Sequence, residues 1–201
     1  AQSEAANGKP FAKYWMHNAF LNIDNRKMSK SAGNFFTVRD ISEKYDLQAL
    51  RFFMLSAHYR SPLNFSGELM EAAKNGYERI VTSVGNLSYL AENGADGELS
   101  EEEKGLLEEA KGFETKFDEA MDDDFNTADA IAAIFELVKF ANTYAGEGRS
   151  KEFLEALKQK IVSLSDICGL IVEKKEELLD ADIESLIAER QEARKAKNFA
   201  R

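Results

Sequence analysis

Five consecutive residues, Lys27-Met28-Ser29-Lys30-Ser31, combine two ammonium groups with two hydroxyls, framed by Asp24-Asn25-Arg26 before them and Ala32-Gly33-Asn34 after them. A loop of this make-up can wrap a polyphosphate: Lys27 and Lys30 bring positive charge, while the serine hydroxyls and nearby backbone N–H groups donate hydrogen bonds. Gly33 lets the chain bend. An isolated Lys-x-x-Lys is an ordinary solvated basic turn, but this whole pentapeptide arises by chance in a chain of this length with odds on the order of one in ten thousand. His17 lies upstream and could face the same pocket, although a histidine satisfied within a strand is the stronger reading.

The remaining cations sort by region. Residues 1–90 hold 11 Lys and Arg against 8 Asp and Glu, a balance of +3, so the rest of a chain of net charge −10 carries −13. Phosphate contact requires accumulated Lys and Arg, which makes the acidic part a poor general binder of nucleic acid and leaves the first half as the candidate. Arg51, Arg60 and Lys74 are the RNA-contact candidates there. For Arg60 the competing reading is equal in weight: a loop over residues 57–66 packed by Tyr59 and Phe65. Residues 190–201 turn basic again, with five Lys and Arg against Glu192 alone.

Composition sets the outer bounds. With 201 residues, 44% hydrophobic and 31% charged, the chain can bury one good core or two small ones. No apolar run approaches the roughly 20 residues of a membrane span, and nothing resembles a signal peptide, so a soluble cytoplasmic protein is expected. A single cysteine, Cys168, excludes an internal disulfide framework. Its apolar neighbours and the lack of a histidine nearby in sequence suit a small buried hydrophobe better than a nucleophile.

The elements that must position the loop follow from periodicity and capping residues. Residues 1–7 read as the tail of a helix ended by Gly8, and the lack of a start signal implies a preceding segment. Residues 11–23 read as one or two strands closing on a turn at 24–26, a hairpin from which the basic loop departs. Thr37-x-x-Asp40 resembles a capping box opening a short helix through Tyr45. Asp46 caps a helix over 47–56, with Leu47, Leu50, Phe53, Met54 and Ala57 on its buried face. Ser66 caps a long helix to about residue 93. Ser100-x-x-Glu103 opens the next, and Asp122-Asp123-Asp124-Phe125-Asn126-Thr127 suits the start of another, since it lacks the spaced acidic loop and late glutamate of a calcium hand. A further helix uses Phe153, Leu154, Leu157, Ile161, Leu164, Ile167 and Ile171. The fold class expected is mainly α, an antiparallel bundle preceded by a short β-hairpin and loop. A last helix from Asp182 runs to Arg201 without a stop signal, which implies continuation.

Residues 27–31 resemble the second signature of class I aminoacyl-tRNA synthetases, and Asp46-x-x-Ala49-Leu50-Arg51-Phe52 fits that context. Tyr14-Trp15-Met16-His17, Asn34-Phe35-Phe36-Thr37-Val38-Arg39-Asp40, His58-Tyr59-Arg60-Ser61 and the acidic run from Met121 to Thr127 together resemble the cysteinyl-tRNA synthetase family. The resemblance implies a C-terminal portion. Residues 1–35 would end the catalytic domain, 36–94 form a stem-contact helical region, 95–173 a DALR-type bundle, and 174–201 begin an anticodon-binding region. The family's first signature and its zinc ligands are missing, so zinc is expected only in the parent enzyme and the isolated segment is expected to be inactive. The implied substrates are ATP with Mg2+, cysteine and tRNA(Cys). By the family pattern Lys30 is the principal ATP contact and Lys27 the second cation, while Met28 packs the loop and Ser29 and Ser31 supply hydroxyls. Two alternatives stay open: a cysteine ligase acylating an aminosugar, and a non-catalytic helical adaptor. The oligomeric state is left open.

Overall fold

Polar residues one step ahead of apolar runs decide where the helices begin. In the computed structural model, which describes residues 1–173, a short helix α1 (Gln2–Asn7) ends at Gly8 in the left-handed region, as Gly favours. Thr37 and Asp40 form a reciprocal capping box on α2 (Val38–Ser42), and Asp46 caps α3 (Leu47–Leu55). Ser66 caps α4 (Gly67–Glu92), Ser100 with Glu103 caps α5 (Glu101–Asp122), Asn126 caps α6 (Thr127–Tyr144), and Ser150 caps α7 (Lys151–Ile167). Each such cap satisfies N–H groups that have no partner inside the helix and is worth about 1 kcal/mol.

These helices share one core. α4 lies against α3 and α7, and α5 packs on α6 and α7. The buried set runs from Ile41 through Phe52, Ile80, Leu87, Phe117, Ile134 and Phe153 to Val172. α6 is apolar on most sides because it is central, burying Ala130, Ile131, Ala133, Ile134, Leu137, Val138, Phe140 and Ala141. Cys168 is buried with them, and burial pushes its thiol up from its ordinary pKa. Beyond α7 the chain folds back on α3 and α4. The Ile171 N–H donates to Gln48 Oε1 at 3.1 Å, and the Tyr77 hydroxyl donates to the Ile171 carbonyl.

One carboxylate ties three segments together. Glu103 is 4% exposed and accepts from the Ser100 N–H (2.9 Å), the Ser100 hydroxyl (3.0 Å) and the Ser150 N–H (2.8 Å). Burial works against its ionisation, but the Ser150 and Ser100 donors outweigh it and hold the carboxyl below its usual range. A folded pKa below the unfolded one contributes stability that is present above the unfolded value and lost as pH falls through the folded one. Glu103→Gln should therefore cost about 1–3 kcal/mol at neutral pH, and the gap to the unmutated chain should narrow below about pH 4. Urea melts at the two pH values check this; a gap that stayed constant would show that the charge is immaterial.

The sheet departs from expectation. Only Leu21–Ile23 of residues 11–23 forms a strand, β1, which pairs antiparallel with β2 (Arg26–Lys27) across a turn whose central residues, Asp24 and Asn25, both have positive φ. That conformation is the tight hairpin turn that matches strand twist, and Asp and Asn tolerate it. A third strand, β3 (Leu63–Phe65), lies parallel to β1 within the stretch expected to be a loop, giving the order β2-β1-β3. Residues 11–20 are irregular, with Tyr14, Trp15, Met16 and Phe20 exposed, and His17 is exposed outside any strand rather than satisfied within one. Apolar content in that stretch is not matched by a ladder partner. α2 stops at Ser42, short of Tyr45. On α3 the buried residues are Ala49, Leu50, Phe52 and Phe53, while Leu47 and Met54 are exposed. Ile167 and Ile171 are likewise exposed. The helix expected from Asp182, with all of 174–201, lies outside the described residues.

Candidate functional site

The basic loop leaves β2 and is shaped by its own polar groups. Asn34 Oδ1 accepts the Ser29 N–H at 3.0 Å while Asn34 Nδ2 donates to the Lys27 carbonyl at 3.2 Å, so one side chain ties the end of the loop back to its start. Residues Lys30–Ala32 make a single 3-10 turn, closed by the Gly33 N–H on the Lys30 carbonyl, and Gly33 has φ of 68°. That φ is what Gly permits at no steric cost. Met28 is half-buried, with its N–H on the Leu21 carbonyl, which anchors the loop to β1. Ser29 and Ser31 place their hydroxyls 3.3 Å apart.

Both ammonium groups stay exposed on this frame. Lys27 Nζ lies 4.9 Å from the Phe20 ring centre, and Lys30 Nζ 5.5 Å from that of Phe35. An exposed contact of this kind is worth only about 0.5–1 kcal/mol. It steers each stem without neutralising the charge, so an incoming phosphate can outbid the ring. Phe20, Phe35 and the clamping role of Asn34 were not anticipated from sequence; the usable signal was an aromatic flanking each end of the basic run.

The other candidates fall elsewhere. The Arg60 fork is filled by Asp124, with Nε to Oδ2 at 2.5 Å and Nη2 to Oδ1 at 3.0 Å, and Tyr59 donates its hydroxyl to the same carboxylate at 2.7 Å. The Arg60 pair, then Tyr59, hold the Asp124 carboxyl below its usual range. Arg51, exposed on α3, sets its guanidinium against the left-handed Gly169 just past α7, where a Cβ would lie 2.8 Å from Nη1. Lys74 is half-buried on α4. Each of the three sits in a different part of the chain: Arg60 before β3, Arg51 on α3 and Lys74 on α4. Of the acidic run, Asn126 caps α6 as expected, whereas Asp124 faces residues 58–60 instead. Among the described residues no group of three His, Cys, Asp or Glu could hold a metal ion, so they do not fit the zinc of the resembling family.

The family model of the tRNA synthetases class I (C) catalytic domain matches residues 1–75, and that of the DALR domain matches 116–173. A cysteine–tRNA ligase of Lachnospira eligens is 66% identical over all 201 residues. The chain belongs to the cysteine–tRNA ligase family. Ligases of the same name from Lachnoclostridium phytofermentans and Clostridioides difficile strain 630 are 56% and 50% identical, over 100% and 99% of the chain. The chain spans 43% of the Lachnospira eligens ligase's length and 44% of the Lachnoclostridium phytofermentans one's. The LeuRS of a crystallised LeuRS–tRNA–LeuAMS ternary complex from Agrobacterium radiobacter K84 matches with a TM-score of 0.59 at 19% identity, over 74% of this chain and 20% of that one. That likeness concerns the fold. No helix among the described residues is long and apolar enough to cross a membrane.

Proposed function

We propose that the chain is the loop-bearing and helical-bundle segment of a cytoplasmic ATP-dependent cysteine–tRNA ligase. Such an enzyme joins cysteine to AMP with release of pyrophosphate, then transfers the cysteinyl group to tRNA(Cys). The observation that carries this reading is a single Asn34-clamped loop presenting two exposed ammonium groups on flexible stems. As the cysteine carboxylate attacks the α-phosphorus, negative charge grows on the departing pyrophosphate, and cations aimed at that position stabilise the transition state. Lys30 and Lys27 fill that role, Ser29 and Ser31 add donors, and Met28 holds the loop on β1. Mg2+ accompanies the nucleotide as substrate.

Residues 1–35 then end the catalytic domain, 36–94 approach the acceptor stem, 95–173 form the DALR-type bundle, and 174–201 begin the anticodon-binding part. Arg51, Lys74 and Arg60 are the RNA-facing candidates, Arg60 only on release from Asp124. The test is cysteine-dependent ATP–pyrophosphate exchange by the full-length protein carrying this chain, followed by cysteinylation of tRNA. Exchange driven by another amino acid, or an aminosugar accepted in place of tRNA, would overturn the reading.

The clamp gives a more local prediction. Asn34→Ala removes both hydrogen bonds across the loop, so exchange of the Ser29 amide should quicken by about tenfold, the effect of losing roughly 1 kcal/mol or a little more. Amides in α5 to α7 should not change. Equal protection of Ser29 in the two proteins would mean that Asn34 does not hold the loop.

A further inference from the structure

We propose that Asp124 is a positioning residue for the basic loop, linking the helical bundle to the sheet that carries it. Asp124 and Phe125 have φ of 58° and 54°, a left-handed pair that costs non-glycine residues about 1–2 kcal/mol each. Simple capping of α6 does not require this of Asp124, since Asn126 does the capping. The turn is held from below by the Phe125 N–H on the Met121 carbonyl and the Asn126 N–H on the Ala120 carbonyl, and it projects the Asp124 carboxylate towards the segment before β3.

What the carboxylate grips there leads directly to the loop. It binds Arg60 through two N–H groups and Tyr59 through its hydroxyl, with His58 Nε2 3.7 Å away. The Tyr59 carbonyl accepts the Ala19 N–H at 2.8 Å, and the Phe20 carbonyl accepts the Leu63 N–H at 3.1 Å. Phe20 is the ring against which Lys27 rests. Two further bonds seat the hairpin turn on β3: the Asp24 N–H on the Phe65 carbonyl at 3.0 Å, and the Asn25 N–H on Asn64 Oδ1 at 2.7 Å. Among the described residues the sheet has three short strands, each of two or three residues, and strands so short depend on their surroundings for order. The Asp124 fork is a polar tie between the α5–α6 turn and the segment leading into that sheet, and it fixes where the loop stands relative to the bundle. A contiguous path alone does not prove coupling; a perturbation at one end must be felt at the other.

The variant D124G removes the carboxylate and relieves the left-handed backbone, and because glycine also frees the turn, D124N serves as its control. In the 201-residue chain, exchange of the Ala19, Asn25 and Met28 amides should quicken about tenfold, with the core amides of α5 to α7 unchanged. D124N, which tolerates the same φ and keeps one acceptor, should fall between. Unchanged exchange at those three amides, or an equal rise in the bundle, overturns the proposal. A second arm rests on the ligase reading: in the full-length enzyme D124G should lower kcat for adenylate formation about tenfold while KM for ATP and cysteine stays within twofold. An unchanged kcat overturns the positioning role. If the unmutated full-length protein shows no cysteine-dependent exchange, the ligase reading fails and the amide exchange decides the proposal alone.

Discussion

On the proposed ligase reading, Lys30→Ala in the full-length protein should slow adenylate formation about a hundredfold, because loss of one cation aimed at developing charge removes roughly 3 kcal/mol of transition-state stabilisation. Lys30 stands on the 3-10 turn with its ammonium exposed beside Phe35, so the substitution removes charge without opening the core. Lys30→Arg should recover only part of the rate, since guanidinium keeps the charge but changes reach and donor geometry. Cysteine affinity should barely move, and ATP affinity should move less than the rate, because pyrophosphate is most negative as it departs. Lys27→Ala acts in the same direction, and the double variant should be less than additive if both ammonium groups meet one phosphate cluster. Single-turnover adenylate formation across ATP concentrations is the measurement. A normal chemical rate with only a raised ATP KM would mean that the loop holds ATP and does nothing more.

The largest effect on stability is expected from Phe153→Ala. Phe153 is fully buried in the first turn of α7, beneath the Arg149 guanidinium 5.6 Å from its ring centre. Truncation there loses transfer free energy and leaves a cavity, together about 3–5 kcal/mol, a large share of the 5–15 kcal/mol that typically separates folded from unfolded domains. Ile167→Ala, at a residue 61% exposed on the same helix, should stay within about 0.5 kcal/mol. Urea midpoints for the pair check the contrast, and two similar shifts would contradict the assignment of the buried face.

What could be read in the sequence was the local part. Thr37, Asp46, Ser66, Ser100 and Asn126 each accept from a backbone N–H within three residues, so their caps were legible without knowledge of the fold. The basic loop was legible because its chemistry is contiguous. What failed was non-local. β3 is three residues long and its partner β1 lies some forty residues earlier, too short for alternation to register and too distant for a turn signal. Asp124 looked like a capping carboxylate because nothing nearby shows that Arg60 and Tyr59 will meet it. The α3 face was misplaced because the helix touches α4, α6 and the turn beyond α7, and Ala49 and Phe52 serve those neighbours where a single stripe would favour Leu47 and Met54.

The packing of α4 against both α3 and α7 has a consequence during synthesis. A nascent chain that has released α4 carries Ile80, Val84 and Leu87, buried in the finished fold, before α7 is there to pack on that helix, because α7 emerges from the ribosome only some sixty residues after α4 ends. At a translation speed of about 5–20 residues per second that interval lasts several seconds, far longer than helix formation itself. The apolar stripe of α4 is therefore the segment for a holding chaperone to meet, and a ribosome stalled once α4 has emerged but before α7 has should display it to protease attack that the finished chain resists.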